Sequence, residues 1–97
     1  MAIFWLSFVD TDKPRGSRFA GACLVRAASY PAAMSEAWRQ ECNPGGEVQG
    51  IEVPAQLEGC VLDAELNILY TTHEECEAVN EAMQRRAAEI LKEPVVH

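Results

Sequence analysis

The run Ala2-Ile3-Phe4-Trp5-Leu6-Ser7-Phe8-Val9 limits the possible folds more than any other segment. Its aromatic and branched side chains favour an extended backbone, because they pack well on a pleated surface. In a strand, Ile3, Trp5 and Val9 take one face and Phe4, Leu6 and Phe8 the other. A strand that is apolar on both faces is either central in a sheet covered on both sides or covered by a partner subunit. In a chain of 97 residues the helices are expected to fall short of covering both faces. A homo-oligomer assembled through apolar sheet surface is therefore expected.

The remaining elements follow from periodicity and punctuation. Asp10 to Arg18 is polar, contains Pro14 and Gly16, and predicts a loop. Phe19 to Ala28 predicts a second strand, in which Gly21 and the small Ala20, Ala22 and Cys23 leave room for a helix to pack closely. Ser29-Tyr30-Pro31 has the form of a helix start, with serine as N-cap and proline in the first turn. Ala33, Met34, Ala37, Trp38 and Cys42 then recur at helical spacing and predict one apolar face of a helix from Tyr30 to Cys42. Val48 to Val53 predicts a third strand, followed by Pro54 and a connection from Ala55 to Gly59. The segment Cys60 to Tyr70 fits neither period cleanly; a short strand near Asn67 to Tyr70 is expected, with a helical turn as the rival. Thr72-His73-Glu74-Glu75 matches a capping box. Behind it, Cys76, Val79, Met83, Ala87, Ile90 and Leu91 form one stripe of a helix from His73 to Lys92. Its acids at the start and bases near the end suit the helix dipole.

The order is thus strand, strand, helix, strand, probable strand, helix: a single α+β domain with a small mixed sheet of three to four strands and two helices. The first two strands should be antiparallel. A strand–helix–strand crossover makes the second and third parallel. The end of the first strand and the starts of the other two would then share one end of the sheet. That brings the loop carrying Lys13, Arg15 and Arg18 beside Asn43-Pro44-Gly45-Gly46-Glu47. Three of the chain's eight basic residues would meet a glycine corner with backbone amides, an arrangement suited to a phosphate or carboxylate. The candidate ligand-binding residues are accordingly Lys13, Arg15, Arg18, Asn43, Gly45, Gly46 and Glu47. Against this stands a plainer reading, in which the glycines only end the helix and turn the chain. The corner also follows a helix, whereas phosphate loops precede one.

A net charge of −7 excludes general nucleic-acid binding, which needs lysine and arginine to displace counterions. The apolar start is far shorter than a membrane span and lacks the flanks of a signal peptide, so a cytoplasmic protein with no membrane partner is expected. Cys23, Cys42, Cys60 and Cys76 are evenly spread without a close pair, and are expected to be buried small hydrophobes rather than disulfides. His73 and Cys76 stand one helical turn apart, but zinc sites use two close ligand pairs, and no metal is expected. Asp10 and Asp12 resemble the start of a calcium loop that Pro14 and Gly16 then break. Only His73 and the terminal His97 are available as imidazole bases. Neither catalysis nor a cofactor is expected, and an enzyme using Cys42 or His73 is the weakest reading.

Phe19-Ala-Gly-Ala-Cys-Leu-Val-Arg-Ala27, Ala37-Trp38-Arg39 and Cys42-Asn-Pro-Gly-Gly-Glu-Val48 together resemble small phage- and prophage-encoded proteins, with Asn43 to Val48 the sharpest element. Trp5 to Phe8 and Thr71 to Glu75 extend the resemblance over most of the chain. It implies no catalytic or binding residue. It implies an accessory role in the cytoplasm of a host cell, where small acidic proteins bind host components or signals. Two readings follow. The first is a non-enzymatic binder of a small anionic ligand, such as a nucleotide-like host signal that it sequesters, with Trp5 or Trp38 available to stack. The alternative is an acidic module that binds and inhibits a host protein through Glu74, Glu75, Glu77 and Glu81.

Overall fold

The structure, a computed structural model, describes residues 1–92. Strand β1 (Ala2–Val9) is followed by β2 (Phe19–Ala27), helix α1 (Tyr30–Arg39), β3 (Glu47–Glu52), the single turn α2 (Ala55–Glu58), a 3-10 turn at Asp63–Glu65 and helix α3 (His73–Lys92). The sheet order is β2-β1-β3. This is a small α+β fold.

The first strand is central, the first of the two arrangements its apolar faces allow. β1 pairs antiparallel with β2 and antiparallel with β3. β2 and β3 therefore run parallel to each other, as the crossover demands, but β1 lies between them and every hydrogen-bonded pair of strands is antiparallel. The sequence pattern gave the direction of β3 and not its neighbour. A helix of ten residues spans two strand spacings as readily as one.

Both faces of β1 are covered within the chain. On one, Phe4, Leu6 and Phe8 pack with Cys23 and Val25 of β2 and with Ala33, Ala37 and Cys42 on and just after α1. On the other, Ile3 packs with Leu24, Val53, Val61 and Met83, and Trp5, Leu57, Leu66 and Val79 close the edges. Burying a side chain of Leu, Ile or Phe size stabilises by about 1.5–3 kcal/mol, so these two layers hold the sheet from both sides. The uncovered face that suggested a homo-oligomer is thus filled by α2, the following turns and the first half of α3.

Helix α1 starts as expected: the Ser29 hydroxyl accepts from the Ala32 backbone N–H at 3.2 Å, and Pro31 sits in the first turn. It ends at Arg39, three residues short of Cys42. Glu41 N–H donates to Trp38 at 3.2 Å, Cys42 N–H donates to Ala37 at 3.0 Å, and Glu41 has φ +59°. This is a Schellman closure with glutamate at the position glycine usually takes. Cys42 is buried because that motif folds its last residue back onto the helix, which extends the apolar spacing beyond the helix itself. A left-handed non-glycine residue costs on the order of 1 kcal/mol or more. Glu41→Gly should therefore raise stability by about 1 kcal/mol, seen calorimetrically as a rise of roughly 4–8 °C in Tm. An unchanged or lowered Tm would contradict the strain. Trp38 departs from its predicted place on the apolar face of α1 and is 61% exposed.

In the segment Cys60 to Tyr70 the strand expected near Asn67 to Tyr70 is reduced to an isolated bridge between Tyr70 and Ala22, and a helical turn lies earlier. Asp63–Glu65 forms the helical turn, and Leu66 to Tyr70 runs along the outer edge of β2. There Asn67 N–H donates to Leu24, while Ala22 and Tyr70 exchange both backbone hydrogen bonds at 2.8 and 2.7 Å. The small residues of β2 admit this segment on one side and α1 on the other: a Cβ at Gly21 would lie 2.5 Å from Leu69 Cδ1. The Thr72 hydroxyl accepts from Glu75 N–H at 3.1 Å. The Glu75 carboxylate in turn accepts from the hydroxyls of Thr71 and Thr72, so the capping box closes through side chains on its return arm. No helix among the described residues is long and apolar enough to cross a membrane.

Candidate functional site

The register places the predicted segments at one end of the sheet. Val9, the last residue of β1, pairs with Phe19 on one side and Glu47 on the other. The Asp10–Arg18 loop and the Asn43–Glu47 corner therefore meet where β1 ends. Gly46 makes the closest approach: a Cβ there would lie 2.3 Å from the Val9 carbonyl oxygen and 3.7 Å from Asp10 Cα.

Within that frame each segment closes on itself. Asp10 N–H donates to Arg18 at 2.7 Å, Lys13 N–H to Asp10 at 3.2 Å and Ser17 N–H to Pro14 at 3.0 Å. The Asp10 carboxylate accepts from Asp12 N–H at 3.0 Å, and Arg18 Nε donates to the Lys13 carbonyl at 2.8 Å. In the corner, Gly45 N–H donates to Asn43 Oδ1 at 2.8 Å, which removes one of the amides a ligand would use. Gly45 and Gly46 both have φ +85° and lie beyond the end of α1. They shape the entry into β3 instead of capping the helix, which Gln40 and Glu41 do.

Charge at this end is mixed. The loop carries three basic residues against Asp10 and Asp12, and Glu47 stands exposed beside it. Yet Lys13, Arg15 and Arg18 are exposed and make no ion pair among the described residues, whereas Arg26, Arg39 and Arg86 are each paired. Trp38 is on the last turn of α1, which returns toward the same end of the sheet, and its indole is open to solvent. On the β2 side, Phe19 stacks on His73 with ring centroids 4.4 Å apart. A shallow polar hollow of about 240 Å³ lies there, bounded by Gly16, Ser17, Thr71, Thr72 and Glu74.

The other candidate groups are placed away from this end or are chemically quiet. Burial raises the thiol pKa of Cys23, with Cys42 close by adding to it, and raises those of Cys42 and Cys76. A thiol held protonated is a poor nucleophile and a poor metal ligand. Among the described residues no cluster of three His, Cys, Asp or Glu side chains converges as metal ligands would. His97 lies outside the described residues.

Sequence reasoning missed two features. One is an apolar groove of about 350 Å³ on the opposite face from α1, lined by Trp5, Ile51, Val53, Leu57, Met83 and neighbours. The other is the bolt that fixes its far wall. Arg86 donates twice to Glu65 at 2.7 and 2.8 Å and also to the Cys60 carbonyl. A guanidinium and a carboxylate 21 residues apart leave no local signal. The groove forms between elements rather than within one, so no single segment of the sequence signals it.

No protein-family model, curated protein or solved structure matches this chain.

Proposed function

We propose that the protein is a non-enzymatic binding protein for a small anionic ligand, held at the sheet end between the Asp10–Arg18 loop and the Asn43–Glu47 corner. What supports this reading is one observation: in a chain of net charge −7, three cations without ion-pair partners are concentrated on a single exposed loop. Guanidinium groups bind phosphate and carboxylate through paired, charge-assisted hydrogen bonds. The exposed Trp38 indole supplies a stacking surface of the kind a nucleobase uses. A nucleotide-like signal sequestered without turnover is the biological form of this activity, in the phage-type setting that the sequence resembles.

The test is a calorimetric titration with ADP and with inorganic pyrophosphate as probes. Either is expected to bind, and a probe at a hundred times its Kd raises stability by about 2.7 kcal/mol. Arg15→Ala with Arg18→Ala should weaken binding at least tenfold, while Trp38→Ala should weaken ADP and leave pyrophosphate unchanged. Wild-type affinity in the double variant, or no heat with either probe, would overturn the reading.

A further inference from the structure

The apolar groove and its surroundings carry a second, independent site. The floor is Trp5, whose indole stacks on Tyr70 with centroids 6.4 Å apart and planes 16° from parallel. One wall is the end of β3 and the turn after it, with Ile51, Val53, Pro54 and Leu57; the other is the first half of α3, with Cys76, Glu77, Asn80 and Met83. Ile51 is 65% exposed, a large apolar side chain offered to solvent on an edge strand. Apolar concavities of this size with a few polar groups on the rim are the usual form of a docking site.

The rim charge decides the occupant. Glu77 lines the groove, and Glu58, Glu75 and Glu81 each stand next in sequence to a lining residue on α2 or α3. Among the described residues no lysine or arginine lines it or stands next to a lining residue. Of these acids, Glu75 is engaged by Thr71 and Thr72; Glu77 and Glu81 are exposed. An anionic membrane surface or a nucleic acid would be repelled. A second copy pairing strand to strand along β3 is disfavoured too: antiparallel self-pairing about Gln49 and Gly50 sets Glu47 opposite Glu52 twice over. We infer that the groove receives a basic amphipathic helix of a partner protein, its apolar stripe over Trp5 and Ile51 and its lysines or arginines against Glu77 and Glu81. Recognition of this kind joins helix-in-groove packing to complementary charge. It does not depend on the anion site, which lies at the other end of β1.

Trp5 serves as the reporter in a Trp38→Phe background. A synthetic Leu/Lys amphipathic helix should shift Trp5 emission to the blue on titration, and its Leu/Glu counterpart should not. Ile51→Ser and Glu77→Lys should each weaken binding about tenfold, whereas Glu89→Lys, the same charge change on α3 outside the groove, should leave it within twofold. Arg15→Ala with Arg18→Ala should also leave it unchanged, which separates this site from the anion-binding proposal. Equal binding of both peptides, or equal weakening by Glu77→Lys and Glu89→Lys, would overturn the inference. So would a dimer of the unliganded protein that Ile51→Asp dissociates, because the groove would then belong to a second copy.

Discussion

Gly46→Ala should cost about 3 kcal/mol and lower Tm by roughly 15 °C. Two penalties act together. Gly46 has φ +85°, a region that side-chain-bearing residues rarely occupy. The added methyl group would also stand 2.3 Å from the Val9 carbonyl oxygen, and Val9 cannot retreat without disturbing its pairing with Phe19 and Glu47. Gly45, one residue earlier, has the same φ but open space around its would-be Cβ. Gly45→Ala should therefore cost only the backbone term, about 1 kcal/mol. Denaturant melts of the two variants measure the difference. Equal losses would show that the contact with Val9 contributes nothing.

Arg86→Ala should cost about 2 kcal/mol, because it removes a bidentate ion pair, takes the donor from the Cys60 carbonyl and leaves the Glu65 carboxylate with only the Leu62 N–H. The Glu65 side chain is only 14% exposed, so this pair is not one of the solvated kind that contribute little. The loss should depend on pH in a defined direction. Hydrogen bonds from Arg86 hold the Glu65 carboxyl below its ordinary value near 4.5, against a smaller opposing effect of burial. A folded-state pKa below the unfolded one gives stability that is present above the unfolded value and fades as pH falls through the folded one. Wild type and Arg86→Ala should thus differ fully at neutral pH and converge in acid below that range. A difference that stays constant down to pH 3 would mean that Arg86 acts through packing of its stem alone.

These two results bear on different parts of what the sequence made legible. The two apolar faces of Ala2 to Val9 allowed β1 to be central but equally allowed cover by a partner subunit, and the cap residues Ser29 and Thr72 marked both long helices. The shared sheet end followed from strand directions, which is why Val9, Phe19 and Glu47 meet where expected. The choice of neighbour for β3 was not legible, since it depends on which face and edge α1 crosses. The end of α1 was misjudged because Cys42 keeps the helical spacing while folding back through a left-handed Glu41. At the candidate site, the residues were legible and their chemistry only in part. Asn43 holding the Gly45 amide and Lys13 holding Arg18 are contacts between side chains and nearby backbone that no periodicity encodes. The groove was illegible for a different reason: its two walls, Ile51 to Leu57 and Cys76 to Met83, are far apart in sequence and each looks ordinary alone.

The central position of β1 also sets an order of assembly during synthesis. β1 leaves the ribosome before both of the strands that flank it, and the second of these ends at Glu52. Until then its apolar faces await α1 on one side and, later still, Met83 on the other. Everything from Ile3 through Met83 must therefore emerge before the second layer can close. A nascent chain stalled short of α3 would expose Ile3, Trp5 and Leu24 together, the kind of surface that chaperones recognise.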